Sequence, residues 1–170
     1  MDISAEQIKN LRKQSGAGVM DCRGALIKAE GDIDKALQLL KEQNLIKVEK
    51  KATRVTTQGA IESYVHAGGR IGVVVEVNCE TDFVARTPEF KELAHNLAMQ
   101  IAALSPICIN KEDVPNSLEI DQQTASLLTQ PYIRDTTITV QDVINQTIAK
   151  TGENIKVKRF ARFELGEEIK

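Results

Sequence analysis

Residues 71–86 read Ile71-Gly72-Val73-Val74-Val75-Glu76-Val77-Asn78-Cys79-Glu80-Thr81-Asp82-Phe83-Val84-Ala85-Arg86, and this stretch predicts a strand that runs into a helical turn. Alternation of period two is typical of a strand with one buried face. The predicted inward face consists of Ile71, Val73, Val75, Val77 and Cys79. Cys79 continues that face, so we interpret it as a small buried side chain rather than a reactive thiol.

A short helical turn is predicted directly after this strand. Thr81 can cap the turn, and Asp82 follows at a position where the helix dipole favours an acid. The turn must end before Pro88, because the residue that precedes a proline avoids the α-helical region. Residues 81–86, here called the tip, are therefore separate from the next helix. Two interpretations of Phe83 stay open: an exposed contact for a partner, or a cap on the core beneath the kink.

Two longer helices follow the tip. Apolar residues recur at spacings of three and four over 88–104 and predict a helix that covers the sheet; they are Phe90, Leu93, Ala94, Leu97, Ala98, Ile101 and Leu104. The second helix begins at a cap, Thr139, and ends before Gly152. Between the two helices, residues 106–109 predict a short strand or edge, and 119–129 have a helical composition.

Two more strands complete the predicted sheet. The first covers about 55–66 and joins residue 71 through a hairpin turn. The last covers about 155–165, and its predicted inward face consists of Ile155, Val157, Ala161, Phe163 and Leu165. Phe160 stands on the opposite face among lysines and arginines. It could contact a partner or rest on the neighbouring helix under their aliphatic stems, and we favour the second interpretation.

Three short helices are predicted at the start of the chain, over about 5–14, 19–29 and 33–43. Ser4 and Gln7 form a capping box, and the glycines of 16–18 permit a tight turn. Val19, Cys22, Leu26 and Ala29 are predicted on the inward face of the second helix. Residues 47–54 are basic and are interpreted as a solvated linker that is helical in part rather than as a phosphate-binding patch.

The composition excludes several classes of protein. A net charge of −2 over 170 residues argues against a bulk nucleic-acid binder, although the first 54 residues, with 11 Lys/Arg and 8 Asp/Glu, are basic. No apolar run approaches the length of a membrane span, and no leader is recognised at the N-terminus. The three cysteines and two histidines are isolated from one another in the sequence, so we expect no disulfide, no metal site and no cofactor. With no catalytic arrangement in the sequence, we expect a binding protein and not an enzyme.

Three motifs resemble those of one family. Residues 11–26, which begin Leu11-Arg12-Lys13-Gln14-Ser15-Gly16, closely resemble the N-terminal signature of the elongation factor Ts family. Residues 76–85 resemble its second signature, and 152–155 together with 162–167 resemble its C-terminal end in the cyanobacterial and plastid style. The chain differs from longer members between about 109 and 131, where those carry an extra helical insertion.

The resemblance implies an α+β fold and a function. The fold is a ubiquitin-associated-like three-helix domain at 1–45, here called the head, a linker at 46–55, and a core of the dimerisation type at 56–170. That core would hold a three-stranded antiparallel sheet packed on helices. Family members bind elongation factor Tu in its GDP-bound and nucleotide-free states and act as guanine-nucleotide exchange factors in translation elongation. The implied location is the bacterial cytoplasm, or the chloroplast stroma for a plastid-encoded protein.

The resemblance also assigns partner-binding residues. In the tip they are Thr81, Asp82, Phe83 and Val84, which would act near the partner's magnesium site. In the head they are Leu11, Arg12, Gly16, Ala17, Gly18, Met20, Asp21 and Cys22. A shortened core could also expose apolar surface and pair as a homodimer. The alternative function is a non-catalytic adaptor or ribosome-associated scaffold, which would use the head and need nothing from the tip.

Overall fold

The computed structural model describes residues 3–115 and 121–167, and it confirms an α+β fold with helices first and a sheet after them. The helices are α1 (Ala5–Ser15), α2 (Val19–Lys28), α3 (Ile33–Glu49), α4 (Asp82–Ala85), α5 (Pro88–Leu104), α6 (Gln122–Ala125) and α7 (Val140–Thr151). The strands are β1 (Gln58–Val65), β2 (Ile71–Cys79), β3 (Pro131–Tyr132), β4 (Asp135–Thr139) and β5 (Ile155–Glu164). In the described part of the chain, no helix is both long and apolar enough to cross a membrane.

The helices α1 to α3 enclose a small core of their own. The Ser4 hydroxyl accepts from the Gln7 N–H, and the Gln7 side chain accepts from the Ser4 N–H, which confirms the capping box. Residues from all three helices are buried together, among them Leu11, Cys22, Leu26, Ala36 and Leu40. The predicted end of α3 at residue 43 is wrong, because the helix continues to Glu49. Residues 44–49 contain no helix breaker, and Val48 packs against the core around the sheet.

The main sheet has the order β1–β2–β5, and both pairings are antiparallel. Its inner face packs on α5 and α7, and the predicted inward residues of β2 lie there. The predicted stripe of α5 is buried from Phe90 to Ile101, whereas Leu104 in the last turn is exposed. The predicted kink before Pro88 is confirmed, since α4 and α5 are separate helices.

The strand β5 contains an irregularity that the alternation did not predict. Glu76 pairs with Arg159 and Val77 pairs with Val157, so Lys158 is an extra residue in β5. One extra residue moves every later side chain to the other face. The prediction that Ala161, Phe163 and Leu165 share the inward face of Ile155 is therefore wrong, and all three are exposed. Phe160, predicted on the outward face, packs against the core instead, so the favoured interpretation is confirmed in that the ring packs within the protein, whereas its predicted face is wrong.

Residues 106–115 and 121–139 cover one end of the core. Cys108 forms a single parallel bridge with Ser126, so the predicted strand at 106–109 is reduced to one contact. The predicted helical composition of 119–129 corresponds to α6 and a 3₁₀ turn at Leu127–Thr129. The first two residues of that prediction, 119 and 120, lie outside the described residues. A short hairpin of β3 and β4 leads into α7, which begins at the predicted cap Thr139.

Candidate functional site

The tip lies where β2 leaves the sheet. Thr81 has an extended backbone, and its hydroxyl accepts from the Val84 N–H over 3.4 Å, so it caps α4 as predicted. Thr87 closes the tip on the other side, because its hydroxyl donates to the Val84 carbonyl and accepts from the Phe90 N–H. The same residue therefore ends one helix and starts the next.

Phe83 and Val84, which are adjacent in the predicted tip, differ in their exposure to solvent. Phe83 is 79% exposed, whereas Val84 is 9% exposed and belongs to the buried core around the sheet. The interpretation of Phe83 as a cap on the core is therefore wrong. Burial of Val84 and Ala85 holds one side of α4 against the protein and leaves Phe83 on the other side, facing solvent. A direct contact between Val84 and a partner would require the tip to lift from the core.

Asp82 lies beside Phe83 and is half exposed. Its Oδ2 is 2.8 Å from Nη2 of Arg86, one turn later in sequence. Both side chains are largely in solvent, so this ion pair adds little to the free energy of unfolding. The tip therefore presents a carboxylate and an aromatic ring together, with a cation close to the carboxylate.

Glu153, which follows the C-cap Gly152 of α7, holds the tip from outside. Its Oε2 accepts from the Thr81 N–H over 2.9 Å, and its Oε1 accepts from the Thr81 hydroxyl over 2.6 Å. The neighbouring residues bond in the reverse sense, since the Glu80 carboxylate accepts from the Asn154 N–H over 2.7 Å. Sequence reasoning did not identify Glu153 as a site residue. The available signal was an acid between the helix stop Gly152 and a strand.

Cys79 supports the tip from below. Its side chain is buried, and its thiol donates to the Thr81 carbonyl over 3.1 Å. Burial raises the pKa of the Cys79 thiol, and the negative charge of Glu153 raises it further. A thiol with a raised pKa is a poor nucleophile, which agrees with the interpretation of Cys79 as a structural side chain.

The structure divides the predicted head residues into three groups by their exposure. Leu11 and Cys22 are buried in the core of the three helices and support the surface from within. Ala17 is half buried, and the exposed members are Arg12, Gly16, Gly18, Met20 and Asp21.

Met20 belongs to an exposed apolar strip on α2. Met20 is 72% exposed, and Val19 and Ile27 are exposed on the same helix. The predicted inward position of Val19 is therefore wrong, because Val19 begins the helix and the core contact starts at Cys22. We call Val19, Met20 and Ile27 the head strip.

The turn of the head, residues 16–18, faces the end of α7. Gly16 is left-handed with φ at 66°, and a Cβ atom there would lie 3.0 Å from Cε of Lys150. A cleft of about 300 Å³ separates the two parts, and Arg12, Asp21, Gln146 and Lys150 contribute to its walls. The last turn of α7 therefore contacts the head through Lys150, and the tip is held three residues later by Glu153.

Acidic, histidine and cysteine side chains are dispersed in the described residues. Within 3–115 and 121–167, no three of them lie together in a way that could hold a metal ion. The features that stand out chemically are therefore two surfaces, the tip and the exposed part of the head.

Comparisons with known proteins agree on one family. The family model described as "Elongation factor TS" matches residues 26–125. A protein named "Elongation factor Ts" from Methylacidiphilum infernorum is 47% identical over 195 aligned positions, which cover 98% of this chain and 97% of that protein. The protein of the same name from Thermotoga neapolitana is 47% identical over 196 positions, covering 99% and 100%. The protein of that name from Thermotoga maritima is 47% identical over 195 positions, covering 98% of each.

The relatives are longer than this chain within the aligned region. The alignments run over 195 and 196 positions, whereas the chain has 170 residues, so each of these relatives contains residues without a counterpart here. This agrees with the expectation of a shortened form.

Proposed function

The chain belongs to the elongation factor Ts family and is a translation elongation factor, and from that premise we propose that it binds elongation factor Tu and releases its GDP. We propose that this protein binds elongation factor Tu both with GDP and without nucleotide, and that GTP then binds to the nucleotide-free elongation factor Tu. The observation that carries the proposal is the tip, where an exposed aromatic ring and a carboxylate stand on a turn fixed at both ends. The protein would act by binding, without covalent catalysis.

Fast release of GDP from elongation factor Tu requires more than one contact with this protein. A nucleotide held with nanomolar affinity has a binding free energy of about 12 kcal/mol. Burial of one phenylalanine contributes about 1.5–3 kcal/mol, which changes a rate by roughly 10- to 150-fold at most. Phe83 therefore cannot account for fast release by itself. The remainder must come from disturbance of the metal that bridges the phosphates and from a wide contact that stabilises the opened partner.

Asp82 is suited to disturb the metal that bridges the phosphates. Its carboxylate is half exposed next to Phe83, so insertion of the ring would bring a negative charge with it. A negative charge near a magnesium site competes with the phosphates for the cation. Because the coupling is reciprocal, a bound nucleotide must weaken the binding of this protein by the same factor.

The head is suited to provide the wide contact that stabilises the opened partner. The proposed contact consists of the head strip together with Arg12, Gly16, Gly18 and Asp21, and Leu11, Ala17 and Cys22 shape it from within. Met20 supplies a flexible apolar side chain of the kind common at binding surfaces. The division into a head at 1–45, a linker at 46–55 and a core at 56–170 is part of this proposal.

We also propose that two copies of the chain associate through the outer face of the sheet, which we define as Ile61, Val65, Val74, Ala161 and Phe163. These side chains come from all three strands and are exposed. The same face carries Ser63 and the Glu76–Arg159 ion pair. Exposed apolar side chains on one face of a sheet are favourable to cover, and a second copy would present the same surface to them. We propose the bacterial cytoplasm or the chloroplast stroma as the location.

Release of a fluorescent GDP analogue from elongation factor Tu, followed by stopped-flow fluorescence, tests the proposed function. We expect the release rate to rise with the concentration of this protein and then to saturate. A chase with unlabelled GDP alone supplies the intrinsic rate. Binding without acceleration would contradict the exchange function and favour the adaptor, which would use the head and need nothing from the tip.

A further inference from the structure

We infer that Glu153 is a positioning residue for the tip, and that the maximal rate of GDP release requires its carboxylate. The inference rests on the proposed exchange function and adds to it a residue outside the tip and the head. Its basis is the bidentate contact between Glu153 and Thr81.

The tip cannot hold its own orientation. The helix α4 has four residues, and a single helical turn in isolation is unstable because nucleation costs more than one hydrogen bond returns. Phe83 is exposed, so the packing of its own ring does not fix it. The orientation of the ring must come from the buried Val84 and Ala85 on the other side of α4 together with the residues that hold its two ends.

Glu153 fixes the first of these ends. Both carboxylate oxygens are used, one by the Thr81 N–H and one by the Thr81 hydroxyl. The hydroxyl proton points at Glu153, so the oxygen is left free to accept from the Val84 N–H and cap α4. Glu153 thus sets the rotamer through which Thr81 starts the helix. Hydrogen bonds to an ionised carboxylate are also stronger than those between neutral groups.

The neighbouring contacts keep Glu153 itself in place. The Asn154 N–H donates to Glu80, and the Asn154 side chain donates to the carbonyl oxygens of Ala52 and Arg54. Asn154 is buried, so these bonds have little competition from water. Thr81 thus donates to Glu153, whereas Asn154 donates to Glu80. Together these bonds restrain rotation of the tip about the end of β2.

Glu153→Gln is the decisive variant, because it keeps the shape of the side chain and removes the charge. The two Thr81 donors bond to different oxygens of Glu153, and a glutamine replaces one of those oxygens by an NH2 group, so in this geometry one Thr81 donor faces an amide N–H. We expect the maximal GDP release rate to fall about tenfold, since small displacements of a positioned group cost rate steeply. The concentration for half-maximal rate should change less than about twofold, because the head contact is intact.

The background of Phe83→Ala distinguishes positioning from a general loss of structure. If Glu153 acts by orienting Phe83, Glu153→Gln should cause little further loss once the ring is absent. Thr81→Ser keeps the hydroxyl and should retain most of the rate, whereas Thr81→Val should behave like Glu153→Gln. Glu112→Gln, at an exposed glutamate on the 3₁₀ turn Lys111–Asp113, is the matched control and should exchange normally.

The outcomes separate this inference from the proposed function. Full-rate exchange by Glu153→Gln, or an equal further loss in the Phe83→Ala background, would overturn the positioning role while the exchange function stands. A chain with its natural sequence that does not accelerate GDP release would overturn both. A tenfold loss confined to chains that contain Phe83 supports the inference.

Discussion

Gln100 donates a hydrogen bond from Nε2 to Oε1 of Gln130 across the core, over 3.1 Å. Both side chains are buried. Gln100 also accepts from the Ile133 N–H, and Gln130 donates to the carbonyl oxygens of Leu104 and Thr124. Every polar atom of the two side chains therefore has a partner, and the network ties the chain after α6 to the long helix α5.

The first prediction concerns the stability of this network. Gln100→Leu keeps the size of the side chain but removes the donor to Oε1 of Gln130 and the acceptor of the Ile133 N–H. An unpaired buried group costs about 1–3 kcal/mol, so we expect a loss of about 3 kcal/mol in the free energy of unfolding. For a chain of this length, each kcal/mol lowers the thermal midpoint by roughly 2–4 °C. Thermal and urea unfolding, followed by circular dichroism, provide the measurement.

Gln14→Leu is the matched control, because Gln14 is exposed on α1 and bonds only to another exposed side chain in the described structure, that of Asn10. We expect a change within about 0.5 kcal/mol there. Equal midpoints for the two variants would show that the buried network contributes nothing to stability.

Local patterns predicted most of the helices and strands. Caps such as Ser4 and Thr139 and the alternation in β2 depend on residues that are close in sequence, so a single chain reveals them. The buried glutamines could not be predicted in this way, since the two partners are 30 residues apart and either one alone resembles a surface residue. The extra residue Lys158 was missed because only pairing with β2 shows which residue has no partner.

The same distinction between local patterns and long-range contacts applies to the candidate site. The separation of the tip from α5 follows from the kink before Pro88, which is a local property of the chain. The role of Glu153 does not, since its contact with Thr81 spans 72 residues and depends on β5 returning beside β2. Sequence alone therefore predicted a separate tip, but it left the exposure of Phe83 open and did not show the contact that holds the tip.

A second prediction concerns pH. Arg159 donates to the Glu76 carboxylate over 2.7 Å across β2 and β5, and this bond lowers the pKa of Glu76 below its usual value. A carboxyl whose pKa is lower in the folded state stabilises the fold above its unfolded pKa of about 4.3, and this contribution is lost as the pH falls through the folded value. Arg159→Gln should therefore lower the urea midpoint slightly near pH 7, with a difference that shrinks toward pH 3.

The expected effect is small because the Arg159 side chain is 78% exposed. Arg134→Gln, which removes an exposed arginine paired at 4.0 Å with Glu92, serves as the control and should show a weaker dependence on pH. A difference that grows as the pH falls would contradict the assignment.

A third prediction concerns the head. Met20→Ser removes an exposed apolar side chain from the proposed contact, and we expect the concentration for half-maximal GDP release to rise about tenfold. The maximal rate should stay within about twofold, because the tip is unaltered. Val55→Ser, at another exposed apolar residue outside the proposed contacts, should leave both parameters unchanged. A fall in the maximal rate alone would show that Met20 does not act in binding.

A fourth prediction concerns self-association through the outer face. Phe163→Glu places a charge where two copies would meet, and a two-fold contact contains the substitution twice. We expect the dissociation constant of the dimer to rise at least about a hundredfold, as measured by sedimentation velocity over a range of concentrations. Val55→Glu makes the same change away from the outer face and should not alter it. A dimer unaffected by Phe163→Glu, or a natural sequence that is monomeric throughout, would refute this contact.

The fifth prediction separates the roles of Phe83 and Val84 in the tip. Phe83 is exposed, so Phe83→Ala should change the free energy of unfolding by less than about 0.5 kcal/mol. It should still lower the maximal GDP release rate by about tenfold or more, with most partner affinity retained. Val84→Ala removes a buried side chain and should instead lower the thermal midpoint by several degrees, at a cost of about 1–2 kcal/mol. Stopped-flow release and thermal unfolding measure the two effects, and a Phe83→Ala variant with an unchanged release rate would mean that the exposed ring is not the group that disturbs the nucleotide site.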